Sequence, residues 1–332
     1  MYILVTGGAG YIGSHICLEL LRLGKKIVVV DNCSTSSGDN IKSIETHFKC
    51  NIPFYQIDLR NEEKLNEVFT NHKITVVIHL AGKKSVKESV ENPMSYYDNN
   101  LLSTIQLLKV MQKNNCYNLI FSSSATVYGM AAKVPITENE RVEPINPYGQ
   151  TKAMIERILM DIIGKDPWKI VSLRYFNPVG LDYTGLLKEE CNAHPENLFP
   201  YILKVLKGEL EVLTIFGNDY NTPDGTPIRD YIHISDLSKA HLKAIDYLNT
   251  DMNSNTYEVF NIGTGKGVSV LNIINVFDKL GFKVKYVIGE RRKGDAARVF
   301  ADSKKAQLLL KWEVGKCLAE MCKDSLVGLQ LH

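Results

Sequence analysis

Short apolar segments alternate with helical patterns through the first half of this chain. Six of these segments are apolar on both faces, as strands buried between two helix layers are. The helical patterns between them are long enough to carry the chain back to a parallel neighbour. The predicted strands are residues 2–6, 26–31, 53–58, 76–81, 118–122 and 170–175, and the main predicted helices are 11–23, 61–72, 94–114 and 148–163. This alternation predicts an α/β fold with a doubly wound parallel sheet.

The pattern loosens after about residue 180. Connections rich in Pro, Asn and Gly, such as 195–197 and 217–227, separate shorter helical patterns there. A length of 332 residues also suits two domains better than one. We therefore expect a large first domain and a smaller, mixed α/β C-terminal lobe. The predicted division is 1–180, with about 229–262 returning to that domain, and 181–332 mainly for the smaller lobe.

Charge and composition argue against several classes of protein. Lys and Arg number 39 against 37 Asp and Glu, and a net charge of +2 is too small for the phosphate neutralisation that duplex binding needs. No apolar stretch suits a membrane span, and the opening run 1–5 lacks the basic region of a secretory signal. The seven cysteines form no CxxC pair, which fits a reducing compartment. We expect a cytoplasmic protein with no nucleic-acid or membrane partner.

The potential metal-binding residues of the chain show no pattern of a metal site. No His, Cys or carboxylate cluster has the spacing of metal ligands. His79 lies in the apolar segment 76–81, where a lone histidine is more often a core residue than a ligand. We therefore expect no metal and assign His79 no role.

A glycine-rich loop follows the first predicted strand and opens the first predicted helix. It carries Gly7, Gly10 and Gly13, and Gly8 provides a second register of the same motif. Glycines let backbone amides approach a pyrophosphate, and the helix N-terminus adds positive potential. The glycines alone are a weak signal, because ordinary strand-to-helix turns also contain them.

Asp31 strengthens the nucleotide interpretation. It ends the second predicted strand, about 20 residues beyond the glycine motif, where a carboxylate accepts hydrogen bonds from an adenosine ribose. The same carboxylate would repel a 2′-phosphate, and no arginine lies beside it in the sequence. The pattern predicts a dinucleotide site and favours NAD over NADP.

Tyr148 and Lys152 are spaced to share one face of the predicted helix 148–163. A tyrosine has a pKa of about 10 and is a poor base at neutral pH unless a cation stabilises its phenolate. The spacing also occurs where an exposed tyrosine lies beside a solvated lysine. Here, however, the helix follows a strand that ends on serines 122–124, and ligands bind at the carboxyl ends of such strands. Together, Ser124, Tyr148 and Lys152 predict a proton-transfer site.

These motifs, with segments 121–129, 175–180, 215–220 and 229–233, resemble the extended short-chain dehydrogenase/reductases, and within them the nucleotide-sugar 4-epimerases. The resemblance covers the chain from Met1 to about Leu326. It implies a Rossmann fold in the first domain, a tightly bound NAD, and a UDP-sugar site in the smaller lobe. The residues implied for NAD are Gly7, Gly10, Tyr11, Ile12, Gly13, Asp31, Asn32, Asp58, Leu59, Lys84, Asn99, Tyr148, Lys152 and Phe176. Those implied for the UDP-sugar are Ser124, Thr126, Tyr148, Asn177, Asn197, Leu198, Thr214, Phe216, Arg229, Arg292, Asp295 and Val299.

The chemistry of the second set agrees with that role. Arg229 and Arg292 carry permanently charged guanidinium groups suited to a pyrophosphate, and Asp295 can accept both hydroxyls of a ribose. Charge alone favours the interpretation that these residues form ordinary surface ion pairs. The assignment therefore depends on the resemblance.

The resemblance implies 4-epimerisation of UDP-hexoses, which interconverts UDP-galactose and UDP-glucose through a transient 4-keto sugar. Two other interpretations stay open: a nucleotide-sugar 4,6-dehydratase or another family member, and a non-catalytic NAD-binding protein on the same fold. A dehydratase also needs an acid and a base beside the serine, but Ser124 is followed by Ala125 and Thr126. A non-catalytic protein has no reason to keep Ser124, Tyr148 and Lys152 together.

Val299 and two helices carry further implications of the resemblance. Val299 borders the 2-substituent of the sugar, where a valine leaves more space than a tyrosine, so we expect UDP-N-acetylglucosamine and UDP-N-acetylgalactosamine to be interconverted too. The neighbouring Arg298 would narrow that space if it folded across the opening.

The helices over 94–114 and 148–163 pair across a two-fold axis in the family, which predicts a homodimer, although both would also serve to cover the sheet.

Overall fold

The computed structural model describes residues 1–188, 197–250, 252–292, 294–327 and 329. The strands are β1 (Tyr2–Thr6), β2 (Ile27–Asp31), β3 (Phe54–Gln56), β4 (Ile74–His79), β5 (Asn118–Ser124), β6 (Lys169–Tyr175), β7 (Asn177–Val179), β8 (Leu213–Phe216), β9 (Ile228–His233), β10 (Thr256–Ile262), β11 (Gly267–Ser269), β12 (Tyr286–Gly289) and β13 (Arg298–Val299).

Seven strands form one parallel sheet in the order β3-β2-β1-β4-β5-β6-β10. β1 lies between β2 and β4, so the chain winds outward in opposite directions on its two sides. This is the switch point of a doubly wound fold, and ligands of such folds bind outside the carboxyl ends of the strands there. The predicted fold class is confirmed.

The helices alternate with these strands and continue into the second half of the chain. They are α1 (Tyr11–Arg22), α2 (Asp39–Phe48), α3 (Glu62–Asn71), α4 (Val86–Glu91), α5 (Pro93–Tyr96), α6 (Leu102–Lys113), α7 (Pro147–Asp161), α8 (Leu198–Leu206), α9 (Ile234–Thr250), α10 (Val270–Lys279), α11 (Lys304–Leu309) and α12 (Leu318–Ser325). A π-helical turn (Tyr97–Leu101) joins α5 to α6, and a 3₁₀ turn (Ala125–Tyr128) follows β5. Over the part of the chain that the structure describes, no helix has both the length and the apolar character of a bilayer crossing.

Helices cover both faces of the large sheet and create two apolar cores. On one face α1, α2 and α9 pack residues such as Leu20, Ile44 and Leu237 against the sheet. On the other face α3, α6 and α7 do the same with residues such as Leu65 and Leu107. A fully buried side chain of this size contributes roughly 1.5–3 kcal/mol to folding. Burial on both faces explains why the strand segments are almost continuously apolar.

The predicted strands agree closely with the structure. β1 has the predicted bounds, and β2 to β6 begin and end within two residues of prediction. The helix predicted over 94–114 differs because the π-helical turn interrupts it. The Asn100 carbonyl in that turn accepts hydrogen bonds from the hydroxyls of Ser103 at 3.3 Å and Thr104 at 2.7 Å. Periodicity alone does not reveal such a turn.

The second half of the chain builds two smaller sheets. β9 pairs with β7, β11 and β13, and β8 pairs with β12. Helices α8, α10 and α12 surround a separate apolar core that contains Phe199, Ile273 and Met321. Of the segment 229–262, β9 lies in a smaller sheet. Helix α9 covers the large sheet, and β10 is an edge strand of the large sheet. A smaller lobe therefore stands beside the carboxyl ends of the large sheet, since β7 directly continues β6.

Candidate active site

Neighbouring backbone atoms leave no room for a side chain at Gly7 and Gly13 of the glycine-rich loop. Gly7 has a φ of +70°, and a Cβ there would lie 2.7 Å from the backbone nitrogen of Ala81. A Cβ on Gly13 would lie 2.2 Å from the carbonyl oxygen of Gly7. Gly10 is the N-cap of α1 and has no side chain to cap the first turn, which suits an anion as the cap. The loop therefore fits a bound pyrophosphate.

Asp31 joins the end of β2 to this loop. Its carboxylate accepts hydrogen bonds from the backbone amides of Ala9 at 3.0 Å and Cys33 at 2.9 Å. These bonds hold the carboxyl group beside the glycine turn, where the sequence predicts an adenosine ribose. The Asp31 carboxylate and the glycine-rich loop, at the carboxyl ends of β2 and β1, together fit a dinucleotide.

Asp58 lies in a charged network beside Asn32. The amide of Asn32 donates to Asp58 at 3.4 Å, and Arg60 donates to Asp58 at 2.8 Å and to Asp98 at 2.5 Å. The hydrogen bond from Arg60 is the main cause that lowers the pKa of Asp58 to about 2. Sequence reasoning did not consider Arg60. Its guanidinium is engaged by two carboxylates, which limits its capacity to bind a phosphate.

The other residues predicted for the cofactor lie on the loops that follow successive strands. Leu59 is buried after β3, Lys84 is exposed after β4, and Phe176 is buried after β6. Asn99 lies in the π-helical turn and donates to the side chain of Asn100 at 3.0 Å. Tyr11 and Ile12 begin α1, and the Tyr11 hydroxyl donates to the carbonyl of Gly180 at 2.5 Å.

Ser124 ends β5, and the 3₁₀ turn after it fixes its hydroxyl group. The Ser124 oxygen accepts hydrogen bonds from the backbone amide of Thr126 at 3.2 Å and from its hydroxyl at 2.9 Å. Because the oxygen already accepts two bonds, the Ser124 hydroxyl acts as a donor to the remaining neighbour. Burial raises the pKa of the Tyr148 phenol, and a hydrogen bond from Ser124 opposes this effect.

Tyr148 and Lys152 lie in the first turns of α7. The helix begins at Pro147, and the Asn146 side chain caps it by accepting from the amide of Gly149 at 2.8 Å. Proline and asparagine are both favourable at these positions. These two residues fix the start of α7, and this start directs Tyr148 toward the end of β5.

Lys152 is 5% exposed and directs its ammonium group at the main chain of β5. Nζ donates to the carbonyl oxygen of Ser122 at 2.6 Å and lies 5.8 Å from the centre of the Tyr148 ring. Burial lowers the pKa of Lys152 to about 8, and the nearby charge of Glu156 opposes this effect. The structure thus brings Ser124, Tyr148 and Lys152 together, with the cation beside the tyrosine.

Residues predicted for the sugar nucleotide gather around β9. Arg229 forms an ion pair with Asp295, and Val299 is the register partner of Arg229 between β13 and β9. The Asn177 side chain donates to the carbonyl oxygen of Asp230, also on β9, at 2.8 Å. Four of the predicted residues therefore lie on β9 or contact it directly.

The remaining predicted substrate residues lie on β8 and at the start of α8. The Arg292 guanidinium stacks over the Phe216 ring at 4.1 Å from its centre, and Thr214 lies on the same strand as Phe216. Asn197 is the N-cap of α8 and Leu198 is its first residue. Arg298, which was a possible obstruction, is exposed and donates to the carbonyl oxygen of Asn221 at 3.1 Å.

Comparison with known proteins agrees with this architecture. A family model described as GDP-mannose 4,6 dehydratase matches residues 4–325. The UDP-glucose 4-epimerase of Bacillus subtilis is 47% identical over 327 residues, which cover 98% of this chain and 96% of the relative. The chain belongs to the UDP-glucose 4-epimerase family, within the extended short-chain dehydrogenase/reductases.

Solved structures of this family share the whole fold. The UDP-glucose 4-epimerase of Bifidobacterium longum, in complex with NAD⁺ and UDP, is 45% identical with a TM-score of 0.93 and covers 98% of this chain and 97% of its own. The enzyme from Stenotrophomonas maltophila, with bound NAD and formylated UDP-arabinopyranose, is 40% identical with a TM-score of 0.95 and covers 98% and 96%.

Sequence reasoning missed one residue that organises this family member's site. The Asn100 side chain accepts from the backbone amide of Lys83 at 2.8 Å and donates to the carbonyl of Lys83 and to the Thr151 hydroxyl, each at 3.1 Å. It thereby ties the loop after β4 to the residue next to Lys152. The only sequence signal was a pair of asparagines inside an otherwise amphipathic helical pattern.

His79 has the role expected of a core residue. It is 1% exposed, and its two ring nitrogens pair with the hydroxyls of Thr6 at 2.8 Å and Thr104 at 3.0 Å. Among the described residues, no group of His, Cys, Asp and Glu is arranged to hold a metal ion.

Proposed function

We propose that the chain interconverts UDP-galactose and UDP-glucose, with NAD bound as a catalytic cofactor. The observation that carries this proposal is the convergence of Ser124, Tyr148 and Lys152 at the carboxyl end of β5, with only β4 between that strand and β1. β1 leads into the glycine-rich loop, so a proton-transfer group stands beside a dinucleotide site. The names of the close relatives support the same reaction.

The NAD site is assigned to the edge of the large sheet, over residues 1–180. The tight glycine cradle suits the pyrophosphate, and the Asp31 carboxylate suits the hydroxyls of the adenosine ribose. NAD bound at this site would supply the acceptor, and then the donor, of the hydride at C4 of the sugar. The chain's own residues then have to orient the sugar and move one proton. The further residues assigned to NAD are Tyr11, Ile12, Asn32, Asp58, Leu59, Lys84, Asn99, Tyr148, Lys152 and Phe176.

Tyr148 takes the proton of the sugar 4-hydroxyl and gives it back in the second half of the reaction. A general base works best when its pKa lies near the working pH, and burial moves the pKa of Tyr148 the other way. The Lys152 ammonium beside the ring and the hydrogen bond from Ser124 both favour the phenolate. Ser124 also binds the reacting sugar oxygen, because its hydroxyl is oriented by Thr126.

The UDP portion is assigned to the smaller lobe. The Arg229 and Arg292 guanidinium groups bind the pyrophosphate, and Asp295 accepts from the ribose. Arg229 pairs with Asp295 in the structure, so the two already occupy neighbouring positions. A sugar held chiefly by its UDP group is able to turn over between the two transfers. The other residues assigned to the sugar nucleotide are Thr126, Asn177, Asn197, Leu198, Thr214, Phe216 and Val299.

Val299 sets the range of sugars that the pocket admits. Like Ala125, which directly follows Ser124, it packs against the apolar cluster that contains Phe176. A valine at this position leaves room for an acetamido group, whereas a tyrosine would fill that room. We therefore assign UDP-N-acetylgalactosamine and UDP-N-acetylglucosamine as further substrates.

We also assign a homodimer and a cytoplasmic location. Large apolar side chains are exposed on the helices of one face, including Met94 at 72%, Met154 at 37% and Met160 at 49%. Exposed apolar residues on neighbouring helices favour a self-complementary interface. Cys50 and Cys317 are exposed free thiols, which suits a reducing compartment.

The test is to incubate the purified protein with UDP-galactose, without added NAD, and to assay UDP-glucose. We expect conversion to an equilibrium mixture, because the cofactor is retained and regenerated. Formation of a 4-keto-6-deoxy sugar nucleotide would instead identify a dehydratase. The absence of turnover in protein shown to contain NAD would contradict the proposed function.

A further inference from the structure

A buried ion pair lies beneath α7, outside the set of residues that the reaction uses. Glu156 and Arg174 are each 5% exposed. Arg174 donates from Nε to Oε1 of Glu156 at 2.9 Å and from Nη2 to Oε2 at 2.6 Å. The Ser123 hydroxyl donates to the same Oε1 at 2.6 Å. A bidentate pair with a third donor holds the carboxylate in a single orientation.

The position of Glu156 relates it directly to the catalytic residues. It lies one helical turn beyond Lys152 and two turns beyond Tyr148, so all three side chains share one face of α7. Its partner Ser123 is the neighbour of Ser124 in β5. Glu156 therefore lies on α7, the helix that carries Tyr148 and Lys152, and contacts β5, the strand that carries Ser124.

Arg174 is fixed from its other side as well. It donates from Nη1 to the Tyr128 hydroxyl at 2.9 Å and to the carbonyl oxygen of Glu138 at 3.3 Å. The Tyr128 hydroxyl in turn donates to the Asn261 side chain at 2.6 Å. This chain of bonds prevents the ion pair from swinging toward or away from Lys152.

Packing alone does not explain why charges occupy this position. Burying an ion pair costs several kcal/mol of desolvation per ion, and apolar residues of similar volume often stabilise a protein equally well or better. The buried charges of Glu156 and Arg174 therefore indicate a role beyond attaching α7 to the sheet.

We propose that Glu156 is a positioning residue whose fixed carboxylate keeps the Lys152 ammonium charged and thereby keeps Tyr148 able to give up its proton. The inference rests on the proposed function, because it assigns Tyr148 and Lys152 their roles. Burial lowers the pKa of Lys152 to about 8, and the charge of Glu156 is the effect that opposes it. Without that charge, the buried amine would be neutral over more of the pH range in which the enzyme works.

Four other titratable groups near Lys152, Tyr148 and the ion pair, one histidine and three tyrosines, are held uncharged near neutral pH by burial. Burial lowers the pKa of His79, on β4, to about 3, and raises the pKa of Tyr128, in the 3₁₀ turn, to about 12. Burial also raises the pKa of Tyr175 on β6 and of Tyr257 on β10, whereas Tyr148 on α7 is the group on which the Lys152 ammonium acts. Arg174, on β6, is charged throughout and pairs with Glu156, but of these two charges it is that of Glu156 that bears on the pKa of Lys152. Within the described part of the chain, Glu156 is thus the group placed to set the charge of Lys152.

Glu156→Gln tests the inference, because it keeps the shape of the side chain and removes the charge. We expect the alkaline limb of the kcat–pH profile to move down by about one pH unit. Ser123→Ala is the matched control: it removes one hydrogen bond to Glu156 but leaves the charge, so its limb should stay where it is in the wild type. An unmoved limb in Glu156→Gln would overturn the inference.

Glu156→Gln also leaves Arg174 buried without a partner, which threatens folding. The double variant E156Q/R174M removes both charges and should show the same shift. A shift in the single variant that disappears in the double variant would come from the unpaired arginine and would also overturn the inference.

A second measurement does not depend on turnover. Competitive acetylation with acetic anhydride across a pH series, read by mass spectrometry of the peptide that contains Lys152, reports the titration of its amine directly. The midpoint should fall by about one pH unit in Glu156→Gln and not in Ser123→Ala. A falling midpoint in protein without epimerase activity would contradict the proposed function and leave the link between Glu156 and Lys152 standing. An unmoved midpoint in active enzyme would overturn that link.

Discussion

Lys152 donates a 2.6 Å hydrogen bond from its ammonium group to the carbonyl oxygen of Ser122. The cation is therefore held by the main chain of β5, two residues before Ser124 and next to the ring of Tyr148. A buried ammonium held in this way lies beside the phenol without competing for the hydrogen bond that Ser124 makes to it. The first prediction follows from this arrangement.

Tyr148→Phe should abolish turnover and leave the fold and the NAD content near those of the wild type. The change removes one hydroxyl group, and the ring continues to pack in the first turn of α7. Loss of a general base costs at least about a hundredfold in rate. kcat with UDP-galactose and the NAD released on denaturation are the two measurements. A variant that kept more than a tenth of wild-type kcat would show that Tyr148 is not the base.

Val299→Tyr should remove activity on UDP-N-acetylgalactosamine and retain most of the activity on UDP-galactose. The larger ring would fill the space beside the apolar cluster that contains Phe176, and steric exclusion outweighs the roughly 1–3 kcal/mol that a single hydrophobic contact contributes to selectivity. The measurement is the ratio of kcat/KM for the two substrates. Arg298→Ala is the control, because Arg298 is directed at Asn221, and its ratio should match the wild type. Wild-type inactivity on the N-acetyl sugar, or an equal loss of both activities in Val299→Tyr, would refute the assignment.

The wild-type protein should sediment as a species of about twice 37.4 kDa at micromolar concentration. Met154→Glu should shift it toward the monomer, because a charge would be buried in the interface between two copies of α7. Leu308→Glu, at a residue 76% exposed on α11, should leave the dimer intact. A wild-type monomer, or equal effects of the two substitutions, would rule out the proposed interface.

Three buried histidines should make the protein sensitive to acid. Burial lowers the pKa of His79 to about 3 and those of His15 and His241 to about 4. The unfolded chain binds these protons below about pH 6.5 and the folded chain does not, so the free energy of unfolding falls as the pH drops from there toward 4. Each histidine contributes up to about 1.4 kcal/mol per pH unit in that window.

Urea unfolding across this pH range measures the effect. His241→Gln should reduce the slope by about 1 kcal/mol per pH unit, whereas His47→Gln, at an exposed position, should not change it. The glutamine retains an acceptor for the Tyr175 hydroxyl, which pairs with His241. A slope unaffected by His241→Gln would show that the histidine is already protonated in the folded protein.

The sequence predicts six of the seven strands of the large sheet, because the inner strands are buried on both faces and their apolar runs have clear ends. β1 illustrates this, since Tyr2–Thr6 lies between the exposed Met1 and the glycine-rich loop. The small strands β11 to β13 escape prediction because they are short and depend on pairing with distant partners, as β13 does with β9. Local sequence carries little information about such contacts.

Prediction of the site divides in the same way. Tyr148, Lys152 and Ser124 are recognisable because residue type, spacing and position at a strand end all agree. Asn100 and Glu156 are not, since their importance comes from partners 17, 51 and 18 residues away: Lys83, Thr151 and Arg174. The ion pair between Arg229 and Asp295, 66 residues apart, likewise becomes visible only in the folded chain.

In the proposed reaction, the hydrogen on C4 of the sugar leaves as a hydride and returns to C4 without exchanging with water, while Tyr148 moves only the hydroxyl proton. The most direct measurement is to convert UDP-galactose that carries deuterium at C4, in ordinary water and without added NAD, and to examine the UDP-glucose formed by mass spectrometry and NMR. The proposed mechanism predicts that the deuterium is retained at C4 of the product. Loss of the deuterium to solvent during turnover would contradict it.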